Sequence, residues 1–262
     1  MKSQYTFEQL LAIMHKLRAP GGCPWDAEQT HESLTRYLLE ETYEVIEAID
    51  EKSPQHLKEE LGDLLLQPVF HAAIAEEAGD FTIGDVISTL CDKLIRRHPH
   101  VFGDDEIKDS NQQIENWEKI KKIEKGNERP SALSGVPEHL PALLKAHKIS
   151  EKASRVGFDW EHADQVFAKV MEELHEFEEA WAGGNPVRME DELGDLLFAI
   201  VNMGRFLSLN PEEALRKTIK RFQKRFSFVE EELLRQGVPM QNASVEGLDE
   251  LSERAKNIER NG

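Results

Sequence analysis

Acidic residues three positions apart are the first feature of this chain with chemical content. Glu41 and Glu44 stand one helical turn apart, and Glu60 and Asp63 repeat the spacing further along. The set then recurs. Glu40, Glu41, Glu44, Glu60 and Asp63 reappear as Glu172, Glu173, Glu176, Glu192 and Asp195, each displaced by 132 residues. Side chains three or four apart on a helix share a face, so each pair aims two carboxylates in one direction. If the two helices form an antiparallel hairpin, both pairs converge on one small volume. Unpaired acids there repel one another and lose their hydration, a large cost for any buried ion. Divalent cations remove that cost. Oxygen-only ligands favour Mg²⁺, with Mn²⁺ as a substitute, over zinc, which prefers nitrogen and sulfur.

The elements that must hold these acids are legible from hydrophobic period. Leu34, Leu38, Glu41, Val45 and Ala48 are spaced 4, 3, 4, 3, and so are Val166, Val170, Glu173, Phe177 and Ala180. Each is an apolar helical seam with a glutamate at its centre. A second helix in each copy carries Leu57, Glu60 and Leu64, or Met189, Glu192 and Leu196, on its inner face. "EKSPQ" and "AGGNP" supply the turns between helices. Strand signals are nearly absent, so the reading predicts an all-α fold of two duplicated helical repeats with four-helix-bundle packing. The Pro-, Gly- and Ser-rich stretch "EKGNERPSALSGVPEHLP" separates them. This gives an N-terminal repeat at 1–123, a linker at 124–141 and a C-terminal repeat at 142–262. Pro68, five residues after Asp63, removes a helical hydrogen bond to Leu64 and is expected to kink its helix.

Basic clusters follow each hairpin. Lys93, Arg96 and Arg97 lie in "KLIRRHPH", and Arg221, Lys224 and Arg225 in "KRFQKRF". Behind a carboxylate hairpin they are candidates for gripping a phosphorylated substrate. His98 and His100 have no acids near them in sequence and read as structural, while Trp25 and Trp160 read as packing residues.

Composition narrows the partners. Fifty acidic against 32 basic side chains give a formal net charge of −18, which argues against general binding to nucleic acid or to anionic membranes. The N-terminus has no signal-peptide pattern and no apolar run is long enough to span a bilayer. Cys23 and Cys91 are far apart without a CxxC pair. A cytoplasmic location is the expectation.

EExxE followed by ExxD and "GDLL" resembles the MazG family of nucleoside triphosphate pyrophosphohydrolases. "CPWDAEQTHESL" at 23–34 and "RRHPHVFGD" at 96–104 are similar to the same family's N-terminal repeat. The resemblance covers essentially the whole chain in a two-repeat arrangement. It implies an all-α, intertwined homodimer that hydrolyses nucleoside triphosphates, NTPs and dNTPs alike, to monophosphate and pyrophosphate. It further implies Mg²⁺ held by Glu173, Glu176, Glu192 and Asp195, with Glu41, Glu44, Glu60 and Asp63 as the counterpart set. Glu172 or Glu176 would take the proton of the attacking water. Lys169, Glu172 and Arg188 match nucleotide-contacting positions of the family's active repeat, where the first repeat has Tyr37 and His56 in place of Lys169 and Arg188. The C-terminal repeat is therefore expected to carry the chemistry. A late W-E-x-x-K segment survives as Trp117, Glu118 and Lys121 in the first repeat, making Trp117 a candidate base contact. The second has Ser252, Glu253 and Lys256. Two rivals remain open. One is a di-iron bundle built on Glu172-x-x-His175, and the other is a non-catalytic nucleotide-sensing or scaffolding module.

Overall fold

The computed structural model describes residues 4–103, 109, 112–113, 116–117, 120 and 131–261. Among these residues there are helices and turns but no strand. The chain divides into two compact units, Met1–Glu124 and Lys125–Gly262. Residues 124–130 of the expected linker lie outside the described residues.

The first unit contains α1 (Phe7–Arg18), α2 (Pro24–Glu28), α3 (His31–Asp50), α4 (Pro54–Ala78), α5 (Ile83–Arg97) and α6 (Pro99–Phe102). Local sequence sets the helix ends. Thr6, Thr30 and Thr82 are N-caps that close capping boxes with the third helical residue. Ser53 caps α4 ahead of Pro54, and Gly79 ends that helix at φ 79°, a left-handed conformation favourable to glycine. α3 and α4 pack as the expected hairpin, and α1 lies against α4. The core is Met14, Leu34, Val69, Phe70 and Ala73. α4 runs unbroken through Pro68.

A buried arginine fastens α2. Arg18 donates through Nε and Nη2 to both carboxylate oxygens of Glu77 on α4, at 2.8 Å each. Its Nη1 donates to the carbonyl of Asp26 at 2.6 Å, and its guanidinium lies 5.3 Å from the Phe70 ring centre. One side chain thus joins the end of α1, α2 and the far end of α4.

The second unit contains α7 (Ala142–Ser154), α8 (Ala163–Ala182), α9 (Pro186–Phe206), α10 (Pro211–Gln236) and α11 (Val245–Asn261). Asn185 and Asn210 cap the two helices that begin with proline. α8 and α9 form the second hairpin, α7 covers α9, and α11 folds back on α10 over Val229, Leu233 and Leu251. Arg205 holds the segment before α8 by donating to both oxygens of Asp159, at 2.5 and 3.1 Å. No described helix is long and apolar enough to cross a membrane.

Candidate metal centre

The seams place their central glutamates where the period predicts. Leu34 and Ala48 are buried on α3, with Glu41 half-buried between them. On α8, Val166 and Ala180 are buried and so is Glu173, at 6% exposure. A carboxylate excluded from water to that degree needs a partner for each oxygen. One oxygen has it: Lys169 Nζ lies 2.7 Å from Oε1. The other, Oε2, is buried with no hydrogen-bond partner.

Three acids close on each site. Oxygens of Glu173, Glu176 and Glu192 all lie within 4.8 Å of one another, and Glu41, Glu60 and Asp63 form the equivalent trio in the first unit. Burial and the neighbouring Glu173 and Glu192 push the Glu176 carboxyl above its ordinary range, against the pull of Lys169. Burial, then Asp63, Glu44 and Glu60, do the same to Glu41. Both trios thus hold more negative charge than their surroundings neutralise. An all-oxygen donor set with a buried, unpartnered carboxylate oxygen fits a hard divalent cation. Glu44 hydrogen-bonds Glu41 at the edge of the first trio, and Asp195 is exposed on α9, three residues beyond Glu192.

Cations rim the second site. Lys169 donates to Glu172 at 2.8 Å as well as to Glu173, and these bonds raise its pKa, the one to Glu172 more. Arg188 donates through Nε to Glu192 at 3.3 Å and reaches Glu179 at 3.7 Å. In the first unit His56 stands in the Arg188 place, the offset at which the sequence reading put it. Its Nε2 lies 3.0 Å from Glu60 and its Nδ1 2.9 Å from Glu51. The hydrogen bond to Glu51, above all, raises the imidazole pKa. Glu51 and Glu179 are contacts the sequence reading missed. Both were hidden as ordinary acids at a helix end.

The basic clusters are less uniform. Arg225 is committed to Glu259 on α11, at 2.6 Å, and Arg221 donates to Thr218. Lys224 lines a cavity of about 240 Å³ with Phe228, Ala255 and Ile258, which contains none of the trio acids. Lys93 is half-buried on α5, and Arg96 and Arg97 occupy the last turn of the same helix. Trp117 meets His98 edge-on at 5.6 Å, while Glu118 and Lys121 lie outside the described residues. Lys256 pairs with Glu253 on α11. His98 Nδ1 sits 2.6 Å from the Leu94 carbonyl, in keeping with a structural role. His175 approaches Glu178 and Glu179 and belongs to neither trio, which leaves the di-iron reading without its histidine. Trp25 and Trp160 are not packing residues in the sense expected: they are 49% and 40% exposed.

Comparison with known proteins points the same way. The MazG nucleotide pyrophosphohydrolase domain model matches residues 29–102 and 162–228, one segment over each hairpin. A Thermotoga maritima protein named nucleoside triphosphate pyrophosphohydrolase/pyrophosphatase MazG is 52% identical over 250 residues, covering 95% of both chains. The Escherichia coli K12 nucleoside triphosphate pyrophosphohydrolase is 43% identical, over 96% of this chain and 97% of that one. An uncharacterised Bacillus subtilis protein, YabN, is 48% identical over 98% of this chain but only 53% of its own length.

Proposed function

The chain belongs to the MazG nucleotide pyrophosphohydrolase family, and from that premise we propose that its second unit is a Mg²⁺-dependent site cleaving NTPs and dNTPs with broad base tolerance. The enzyme is a hydrolase of phosphoric anhydrides that converts a nucleoside triphosphate to its monophosphate and pyrophosphate. The observation that carries the assignment of the site is the buried Glu173, with one oxygen unpartnered among Glu176 and Glu192.

Glu173, Glu176 and Glu192 would hold the metal, with Asp195 available from the next turn of α9. The bound cation supplies charge neutralisation on the triphosphate oxygens, which the acids alone would repel. The chain's own groups do the rest. Pyrophosphate leaves when water attacks the α-phosphorus, so one carboxylate must accept the water's proton. Glu176 is committed to the trio, whereas Glu172 stands outside it, exposed and tethered by Lys169. Glu172 is thus the base of choice. Lys169 and Arg188 each form ion pairs with cage acids that a triphosphate can take over. Arg221 and Lys224 are further cations for the outer phosphates, and Arg225 serves once its pair with Glu259 opens. In the first unit Glu41, Glu60 and Asp63 form the equivalent cage, with Lys93, Arg96, Arg97 and Trp117 as its ligand contacts.

We place the domain boundaries at 1–123 and 142–262, joined by 124–141, and the assembly as a homodimer. The free cysteines Cys23 and Cys91 support a reducing, cytoplasmic setting.

A panel of the eight common NTPs and dNTPs with Mg²⁺, with products identified, tests the reaction. Monophosphate plus pyrophosphate is expected, abolished by Glu173→Ala and largely retained by Glu41→Ala. The opposite ranking of the two variants would move the chemistry to the first unit.

A further inference from the structure

The last two helices of the second unit meet differently along their length. At one end apolar side chains join them, with Val229 and Leu233 of α10 against Leu251 of α11. Glu232 reinforces that end through ion pairs to Arg235, at 2.5 Å, and to Arg254, at 3.1 Å. At the other end lies the cavity of about 240 Å³, lined by Lys224, Arg225 and Phe228 of α10 and by Ala255, Ile258 and Glu259 of α11.

The ion pair between Arg225 and Glu259 crosses at this hollow end. Arg225 Nε donates to Glu259 Oε2 at 2.8 Å, and its Nη2 lies 2.6 Å from the same oxygen. Both side chains stay partly open to water, at 29% and 25% exposure, so the pair adds little to the stability of the fold. Parting it beside a cavity also forfeits few packing contacts. The arginine, however, is engaged while the pair is closed. A guanidinium binds carboxylate and phosphate through the same fork of donors. Glu259 therefore offers Arg225, from within the chain, the kind of anion that a substrate would bring.

We propose that Glu259 is a tethered competitor for substrate phosphate. It holds Arg225 before substrate arrives, yields it to the outer phosphates of a nucleoside triphosphate, and takes it back as pyrophosphate leaves. The proposal rests on the reading of Arg225 as a phosphate-binding residue of the second unit. A triphosphate wins the exchange because it carries more charge and more acceptor oxygens than one carboxylate. The closed pair lowers apparent affinity by the fraction of molecules in which Arg225 is engaged. Glu259 touches no reacting atom, so it sets affinity and not the rate of bond cleavage.

The test uses the full chain carrying Glu41→Ala, which removes the first cage and leaves the second unit to be read. Into it go Glu259→Gln, Arg225→Gln, and both together. The calorimetric probe is a nucleoside triphosphate with a methylene between its α- and β-phosphorus atoms, added with Mg²⁺. Glu259→Gln should tighten its binding about 2- to 10-fold. In turnover the same variant should lower KM by that factor at unchanged kcat, and inhibition by pyrophosphate should strengthen in step. Arg225→Gln should weaken binding, and adding Glu259→Gln to it should change nothing more, since the competitor acts only through the arginine. Weaker binding in Glu259→Gln overturns the proposal and makes Glu259 a support that orients Arg225. Tightening that persists without Arg225 also overturns it, as a general effect of removing one negative charge. Unaltered affinity in Glu259→Gln, with a loss in Arg225→Gln, overturns the competitor while leaving Arg225 on the phosphates. Parent-like binding in Arg225→Gln removes the phosphate reading of Arg225, and the competitor with it.

Discussion

A carboxylate buried like Glu173, with one oxygen bonded to Lys169 and the other unpartnered, is poorly placed for stability and well placed for a cation. The same contrast separates Glu172 from Glu176. Glu176 shares the trio, and its raised pKa reports the crowding of Glu173 and Glu192 after that of burial. Glu172 lies at the rim, bonded to Lys169 and turned to solvent. Removing its basicity while keeping its shape should therefore separate chemistry from metal binding. Glu172→Gln is expected to lower kcat by about 10²- to 10⁴-fold, with the same Mg²⁺-induced rise in Tm expected of it and of the parent. In Glu173→Ala the Mg²⁺-dependent stabilisation of the second unit should be lost, leaving only the part due to the first cage. If Glu172→Gln also abolishes the Mg²⁺-induced Tm shift, Glu172 is a ligand and the base lies elsewhere.

At the scale of elements, the helices that carry the acids are more legible in sequence than the short pieces packed beside them. The α3 and α8 seams follow from the 4, 3, 4, 3 spacing, and the turns after them from "EKSPQ" and "AGGNP", whose Ser53 and Asn185 cap the next helices. α2 is different. Its five residues are too few to show a period, and the placement of Trp25 depends on Arg18 meeting Glu77, 59 residues away in sequence. No local pattern encodes that pairing. Arg18, 5% exposed at its side chain, bonds three elements. Its replacement by alanine should cost about 1–3 kcal/mol, read as a lower denaturant midpoint. Glu77, its partner, is 52% exposed, so the pair itself contributes less, about 0.5–1 kcal/mol after screening by water. The hydrogen bonds from Arg18 hold the Glu77 carboxyl below its ordinary range. A group whose folded pKa is depressed contributes stability that is complete above its unfolded value and is lost as pH falls through the folded one. The stability gap between the parent and Glu77→Gln should thus be full at neutral pH and close below the ordinary glutamate value of 4.5. A gap that does not change with pH through the acid range would assign Glu77 a role other than its charge.

For the whole molecule, the period of the sequence foretells more apolar surface than one chain covers. On α10, Leu215, Ile219, Phe222 and Phe226 continue the seam that Val229 and Leu233 begin under α11, at the spacing of a helix–helix contact. Yet the upper half stands open: Ile219 is 49% and Phe222 65% exposed. Phe222 and Phe226 stack on each other at 6.0 Å rather than on a neighbouring helix. On α5 of the first unit, Val86, Ile87, Leu90 and Leu94 make a comparable uncovered stripe. The sequence could mark these faces as apolar but not name what covers them, because period identifies a seam and not its partner. A chain with net charge −18 resists casual self-association, so contiguous apolar stripes on it mark a specific contact. In the proposed homodimer a second copy would supply the same stripe in a self-complementary arrangement, as two-fold dimers require. Sedimentation equilibrium should give twice the 30.0 kDa chain mass. Phe222→Asp, which puts a charge into the stripe without touching an acid trio, should shift the protein to monomer with its helical circular dichroism intact. A parent protein that sediments as a monomer across the micromolar range would remove the dimer, and the α10 stripe would need another partner.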